Sequence, residues 1–130
     1  MGKGIRVLLV DDESQFRITT SKLLTKRGFR TVIAATGEEA LDILGANPVD
    51  VVVLDVMMPG MGGLAALERI RKISPTTRVI LLTAYGSLAS AKTALDQGAV
   101  DYLTKPCDMD LLVSKIILAA QGNTALPGNG

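Results

Sequence analysis

The sequence predicts an α/β protein, a doubly wound sheet of five parallel strands with five helices. Two observations carry that expectation. Short apolar runs alternate strictly with segments of helical period, a pattern that calls for parallel strands, right-handed crossovers and helices on both faces of the sheet. Four of the runs also stop at a polar residue of the kind that handles phosphate: Val7 to Val10 at Asp11 and Asp12, Val51 to Leu54 at Asp55, Val79 to Leu82 at Thr83, and Val100 to Thr104 at Lys105. Parallel strands would bring all four stops to one sheet edge, where open α/β sheets place their sites.

The elements follow in order. Ile5 to Val10 is a continuous apolar strand, and Phe16, Thr20, Leu23, Leu24 and Arg27 then keep helical spacing until Gly28. Arg30 to Ala35 is a second, β-branched strand. Thr36-Gly37-Glu38-Glu39 opens the next helix as a capping box, with Ala40, Ile43 and Leu44 on one face before Gly45. Val49 to Leu54 is the most apolar strand. Beyond the loop from Pro59 to Gly63, Leu64, Leu67 and Ile70 form a helical stripe. Arg78 to Leu82 is the fourth strand, Ser87 caps a fourth helix that ends at Gly98, Val100 to Leu103 is the fifth strand, and Asp108 caps a last helix running to about Ala120. The first, third and fourth strands are apolar throughout, as strands covered on both faces should be. Five such pairs fit the flavodoxin-like order 2-1-3-4-5, a general arrangement for this element count and not one deduced from these residues.

Bulk properties narrow the function. A chain of 130 residues with 48% hydrophobic content builds one core, and 14 basic against 13 acidic residues give a net charge of +1 with no single-sign block. No global field recruits nucleic acid or an anionic membrane, so direct nucleic-acid binding and membrane association are not expected. One cysteine, Cys107, excludes an internal disulfide and fits a reducing cytoplasm. The apolar run after Arg6 is too short for a signal peptide or a membrane span. Gly2 does not complete a myristoylation pattern, which wants Ser or Thr where Arg6 stands. Residues 1–121 form the expected domain, and 122–130 read as a flexible tail or a truncated linker.

Adjacent first and third strands would bring Asp11, Asp12 and Asp55 together. Three like charges need protons or a cation, and an all-oxygen site with no His or Cys selects a hard ion, Mg²⁺ or Mn²⁺. Alone, Asp11 or Asp12 could equally cap the next helix, Lys105 could be a solvated strand end, and Thr83 could belong to a turn, Thr83-Ala84-Tyr85-Gly86. Lys105 precedes Pro106, which restricts its backbone and admits a cis peptide.

Leu9-Val10-Asp11-Asp12-Glu13, Leu54-Asp55-Val56-Met57-Met58-Pro59-Gly60-Met61, Thr83-Ala84-Tyr85-Gly86 and Asp101-Tyr102-Leu103-Thr104-Lys105-Pro106 occur in this order and spacing. With them the chain, from about residue 5 to about residue 120, resembles the receiver domain of two-component response regulators, and more loosely those of enhancer-binding transcription activators. The resemblance implies a signalling domain rather than an enzyme, although one that assists its own phosphorylation and dephosphorylation. Asp55 would be the phosphoacceptor, taking its group from a sensor histidine kinase, a phosphotransfer protein or a small donor such as acetyl phosphate. It further implies Mg²⁺ held by Asp12 and Asp55, by Asp11 through water and by the backbone carbonyl of Met57, with Lys105 neutralising phosphoryl charge. Thr83 and Tyr102 would form a switch that remodels the fourth helix, fifth strand and fifth helix. That surface would serve a downstream effector domain or protein, or a phosphorylation-dependent dimer. The half-buried strand aromatic is the plain alternative for Tyr102. A degenerate receiver acting only as a protein-binding module is the alternative for the whole, but it should have lost Asp55, Lys105 or one of the acidic pair.

Other classes fit less well. Gly60-Met61-Gly62-Gly63-Leu64-Ala65 satisfies Gly-x-Gly-x-x-Ala, but a dinucleotide fingerprint belongs after the first strand and wants an acidic residue about 20 positions on. An aspartyl phosphatase of the haloacid dehalogenase type wants a second Asp two residues after the nucleophile, where Met57 stands. Cys107 and the methionines at 57, 58 and 61 have plain structural explanations. Gly62, followed by Gly63, replaces a common Asp or Asn and is expected to loosen its loop. Met57 and Tyr85 offer no carboxamide or carboxylate to orient an attacking water. Since the resemblance places these two residues where water access is tuned, the phosphorylated form is expected to decay at a moderate to slow rate, and Met57→Asn to hasten it. Loss of acid-labile phosphate within seconds, with the variant unchanged, would contradict this.

Overall fold

The structure is a computed structural model that describes residues 4–56, 62–84, 92, 93 and 95–122. Five strands, β1 (Arg6–Val10), β2 (Arg30–Ala34), β3 (Val51–Asp55), β4 (Arg78–Ala84) and β5 (Asp101–Lys105), form one sheet in the order β2-β1-β3-β4-β5. Every neighbouring pair is parallel. Four helices are delimited: α1 (Ser14–Lys26), α2 (Gly37–Ala46), α3 (Gly63–Ile73) and α4 (Met109–Ala120). The expected helix from Ser87 to Gly98 lies largely outside the described residues; of it, positions 92, 93, 95 and 96 are helical. The expected tail from 123 onward and the loop residues 57–61 also lie outside them.

Strand alternation builds two cores. Leu8 and Val10 of β1, Val52 and Leu54 of β3, and Val79 and Leu81 of β4 join Ala40 of α2 and Ala66, Leu67 and Ile70 of α3. The intervening residues Val7, Leu9, Val51, Val53, Ile80 and Leu82 join Leu24 of α1 and Leu112, Val113 and Ile116 of α4. Helices on both faces therefore explain why the central strands read as unbroken apolar runs. The edge strands differ: β2 leaves Val32 and Ile33 exposed.

Element ends show where local signals gave way. Thr36 caps α2 by accepting from the Glu39 N–H at 3.1 Å, while Glu39 Oε1 accepts from the Ala35 N–H at 2.7 Å, one residue outside the expected box. Gly45 does not stop this helix, which continues to Ala46 and closes with Asn47 N–H donating to Ile43 at 2.9 Å. Gly28, at φ 94°, does end α1, its N–H donating to Thr25 at 3.0 Å. The third strand starts at Val51 and not Val49. Just before it, the Asp50 carboxylate accepts from the Arg6 backbone at 2.8 Å and from its guanidinium at 2.9 Å. Both β4 and β5 run further than expected, so Thr83 and Lys105 are strand residues and the turn alternative for Thr83 falls away.

The Arg6–Asp50 pair lies at the sheet end opposite Asp55. Its hydrogen bond to Arg6 holds the Asp50 carboxyl below the usual aspartate range against the opposing effect of burial. The stabilisation it gives is complete above an unfolded aspartate's pKa of about 3.9 and is lost as pH falls through the lower folded value. The Tm deficit of Asp50→Asn should therefore shrink as the pH is lowered from about 6 to about 3. A deficit that does not change with pH would refute this.

Candidate functional site

Register, more than any local signal, assembles the candidate site. Val10 pairs with Leu54, so Asp11 and Asp55 follow side by side, and Asp55 pairs with Leu82 while Ala84 pairs with Lys105. Asp11, Asp12 and Asp55 each offer a carboxylate oxygen within 4.8 Å of the others. Asp11 and Asp55 are buried and Asp12 is exposed. The Lys105 ammonium enters this group, 2.6 Å from Asp11 Oδ2 and 3.6 Å from Asp55 Oδ2, with Glu13 at 3.4 Å on the solvent side. The Lys105–Pro106 peptide is cis.

Asp11 does not cap α1, whose N-cap is Glu13, but both of its carboxylate oxygens are engaged. Its Oδ1 accepts from the Glu13 N–H at 2.9 Å, ordering the turn into α1, while Oδ2 faces Lys105. The Arg17 guanidinium fixes the same residue from behind, donating to the Asp11 carbonyl at 2.8 Å. Burial pushes the Lys105 ammonium down, but the hydrogen bond to Asp11 and the charges of Asp55, Asp11 and Glu13 outweigh it and hold the pKa above that of an ordinary lysine. The lysine is therefore a fixed positive charge at neutral pH.

The donor set suits a hard divalent cation. It is all oxygen in a chain without histidine, and Asp11 Oδ2 is buried with no hydrogen bond besides its ion pair with Lys105. Met57, whose carbonyl was the fourth expected ligand, lies outside the described residues.

Thr83 and Tyr102 occupy the other side of the sheet. Thr83 is buried and continues the alternation of Val79 and Leu81, and Tyr102, beside Leu81 in register, packs half-buried on the core under α2 and α3. Asp55 and Lys105 continue the opposite alternation, toward α1 and α4. The expected site residues thus divide between faces.

Three contributors escaped the sequence reading. Glu13 and the Phe16 ring, 4.3 Å from the Lys105 nitrogen, flank the ammonium from α1, and only the fold brings them there. Gly63 is the third. It is buried at the first turn of α3, its N–H donating to Val56 at 3.1 Å, and a Cβ there would lie 2.4 Å from Val56 Cα and 2.7 Å from the Asp55 carbonyl. Close backbone approach, not loop looseness, explains this glycine. Its signal was the Gly62-Gly63 pair at a helix start.

An open α/β sheet of order 2-1-3-4-5 with acidic residues and a lysine at the carboxyl ends of its strands defines a class of phosphate-handling switch domain. The chain belongs to the response regulator receiver domain family, whose pattern it matches over residues 7–117. It is 39% identical over 105 residues to sporulation initiation phosphotransferase F of Bacillus subtilis, covering 81% of this chain and 85% of that protein. It is 40% identical over 116 residues to the DNA-binding transcriptional regulator NtrC of Klebsiella pneumoniae, covering 89% of this chain but 24% of that protein. A response regulator protein from Burkholderia pseudomallei, described with a phosphorylated aspartic acid, calcium ion and citrate, superposes with TM-score 0.80 at 28% identity, covering 89% of this chain and 69% of that one. Receiver domains are signalling domains of two-component systems, phosphorylated on aspartate. Among the described residues no helix is long and apolar enough to cross a membrane.

Gly63→Ala should lower stability by about 3 kcal/mol, as overpacking does, and shift the amide resonances of Asp55 and Val56. Gly45→Ala, where a Cβ meets nothing within 4 Å, is the control and should be neutral or stabilising. Equal effects of the two substitutions would refute the close-approach explanation.

Proposed function

We propose that this domain takes a phosphoryl group onto Asp55 and switches a protein-binding surface in response. The convergence of Asp11, Asp12, Asp55 and the Lys105 ammonium at one sheet edge carries the proposal. An Asp55 carboxylate oxygen bonds to phosphorus as the donor's P–N or P–O bond breaks, the electron pair leaving with the imidazole of a phosphohistidine or with acetate. Lys105, already poised between Asp11 and Asp55, meets the charge on the equatorial oxygens. Asp12 and Asp55 would hold Mg²⁺ or Mn²⁺, Asp11 would act through water and the Met57 carbonyl would complete the protein ligands. The bound ion supplies neutralisation of the phosphoryl oxygens. The aspartyl phosphate and calcium ion of the Burkholderia protein support this assignment by likeness.

Thr83 and Tyr102 would relay the event. Their shared face is where a hydroxyl turning toward the phosphoryl group frees space for an aromatic ring to move, biasing the surface formed by the expected helix from Ser87 to Gly98, β5 and α4. A sensor histidine kinase or phosphotransfer protein in the cytoplasm is the donor expected of such a domain. An effector domain or protein, or a second copy, is the expected reader. The similarity to one relative along most of that protein's length and to another along a quarter of it fits either architecture. Retention of Asp55, Lys105 and both acidic partners disfavours a module that only binds.

Incubation with labelled acetyl phosphate and Mg²⁺ should give an acid- and base-labile acyl phosphate at one equivalent, abolished by Asp55→Asn and by chelation. Lys105→Arg should slow uptake by about ten-fold or more, since a guanidinium cannot replace a compact ammonium at this site. Undiminished labelling of Asp55→Asn would sink the assignment.

A further inference from the structure

We infer that Phe16 is a positioning residue for Lys105, its ring holding the ammonium at the acidic site from α1. A lysine stem has four rotatable carbons and about 2 kcal/mol of rotamer entropy to lose, so an ammonium reaching from β5 across to β1 needs something to confine it. Its anionic partners do this incompletely: Asp11 is close at 2.6 Å, but Asp55 is 3.6 Å away, and Glu13 at 3.4 Å is solvent-exposed and pulls outward. The Phe16 ring lies with its centroid 4.3 Å from the Lys105 nitrogen, within cation–π range. The ring is itself held, half-buried, against the core shared by α1 and α4. Phe16, Lys105, Pro106 and Cys107 line a cleft of about 560 Å³ that opens beside the site. Without the ring, the ammonium could turn into this cleft.

The consequence concerns phosphoryl transfer, and it rests on the assignment of Asp55 and Lys105 made above. Phosphoryl transfer depends on charge already in place when the equatorial oxygens become more negative. A lysine that samples the cleft is absent from that position part of the time. Loss of the ring should therefore lower the maximal rate more than the apparent affinity for donor, and an aromatic replacement should restore it.

The test uses the whole chain, with Phe16→Leu, which keeps apolar bulk, and Phe16→Tyr, which keeps the ring, both checked for folding by circular dichroism. Phe16→Leu should cut the maximal rate of labelling by acetyl phosphate by about five-fold, roughly 1 kcal/mol. The donor concentration for half-maximal rate should change little, and Phe16→Tyr should recover the rate. A second readout needs no chemistry: ring current should move the ε-methylene proton resonances of Lys105, assigned with Lys105→Arg, upfield of the other lysines in the unmodified chain and in Phe16→Tyr but not in Phe16→Leu. Unchanged labelling in Phe16→Leu, or failure of Phe16→Tyr to recover it, overturns the positioning role alone. Lys105 resonances at the common lysine position in the unmodified chain overturn it regardless of labelling. An unmodified chain that takes no label overturns the phosphoacceptor assignment and this role with it.

Discussion

Three carboxylates within 4.8 Å of one another, two of them buried, require a positive charge, and Lys105 supplies it. Like charges this close repel one another, most strongly where burial keeps water from screening them, as at Asp11 and Asp55. One ammonium lowers that repulsion without removing it. The remaining negative charge suits the site to a hard divalent cation. The residue that tempers this imbalance, Lys105, lies 2.6 Å from Asp11 and 3.6 Å from Asp55.

The architecture concentrates restraint on that corner. Asp11 is tied through its side chain to the Glu13 amide and through its carbonyl to Arg17. Asp55 sits at the end of a wholly buried strand, with the following residue clasped by the Leu82 carbonyl and by the close approach of Gly63. These contacts come from three different helices and strands, so the acidic group is a property of the fold's tight end and not of any single loop.

The division of polar residues between the two faces of the sheet gives the site a direction. Asp55 and Lys105 face α1 and α4, whereas Thr83 and Tyr102 follow the alternation toward α2 and α3. Asp55 on β3 and Thr83 on β4 thus lie on opposite faces of neighbouring strands, which are spaced about 4.8 Å apart. Thr83, in β4 between Leu82 and Ala84, is adjacent to both β3 and β5 through the strand registers.

Much of this was legible in the amino-acid order. Alternating apolar runs and helical stripes gave five strands and the delimited helices, because covering both faces of a parallel sheet forces continuous apolar strands. The residue types at the strand ends gave the acidic group and the lysine. Local signals misled where long-range partners outweighed them: Gly45 stays inside α2, and Asp50 leaves the strand pattern to bind Arg6 across 44 positions. By itself the sequence determined which chemistry lies at the strand ends. Only the tertiary structure decided that Lys105 pairs most closely with Asp11, that Phe16 and Glu13 flank it, that Gly63 must lack a side chain, and that Thr83 and Tyr102 share the opposite face. Those facts depend on strand register and on the approach of helices distant in the chain, which no local pattern of residues encodes.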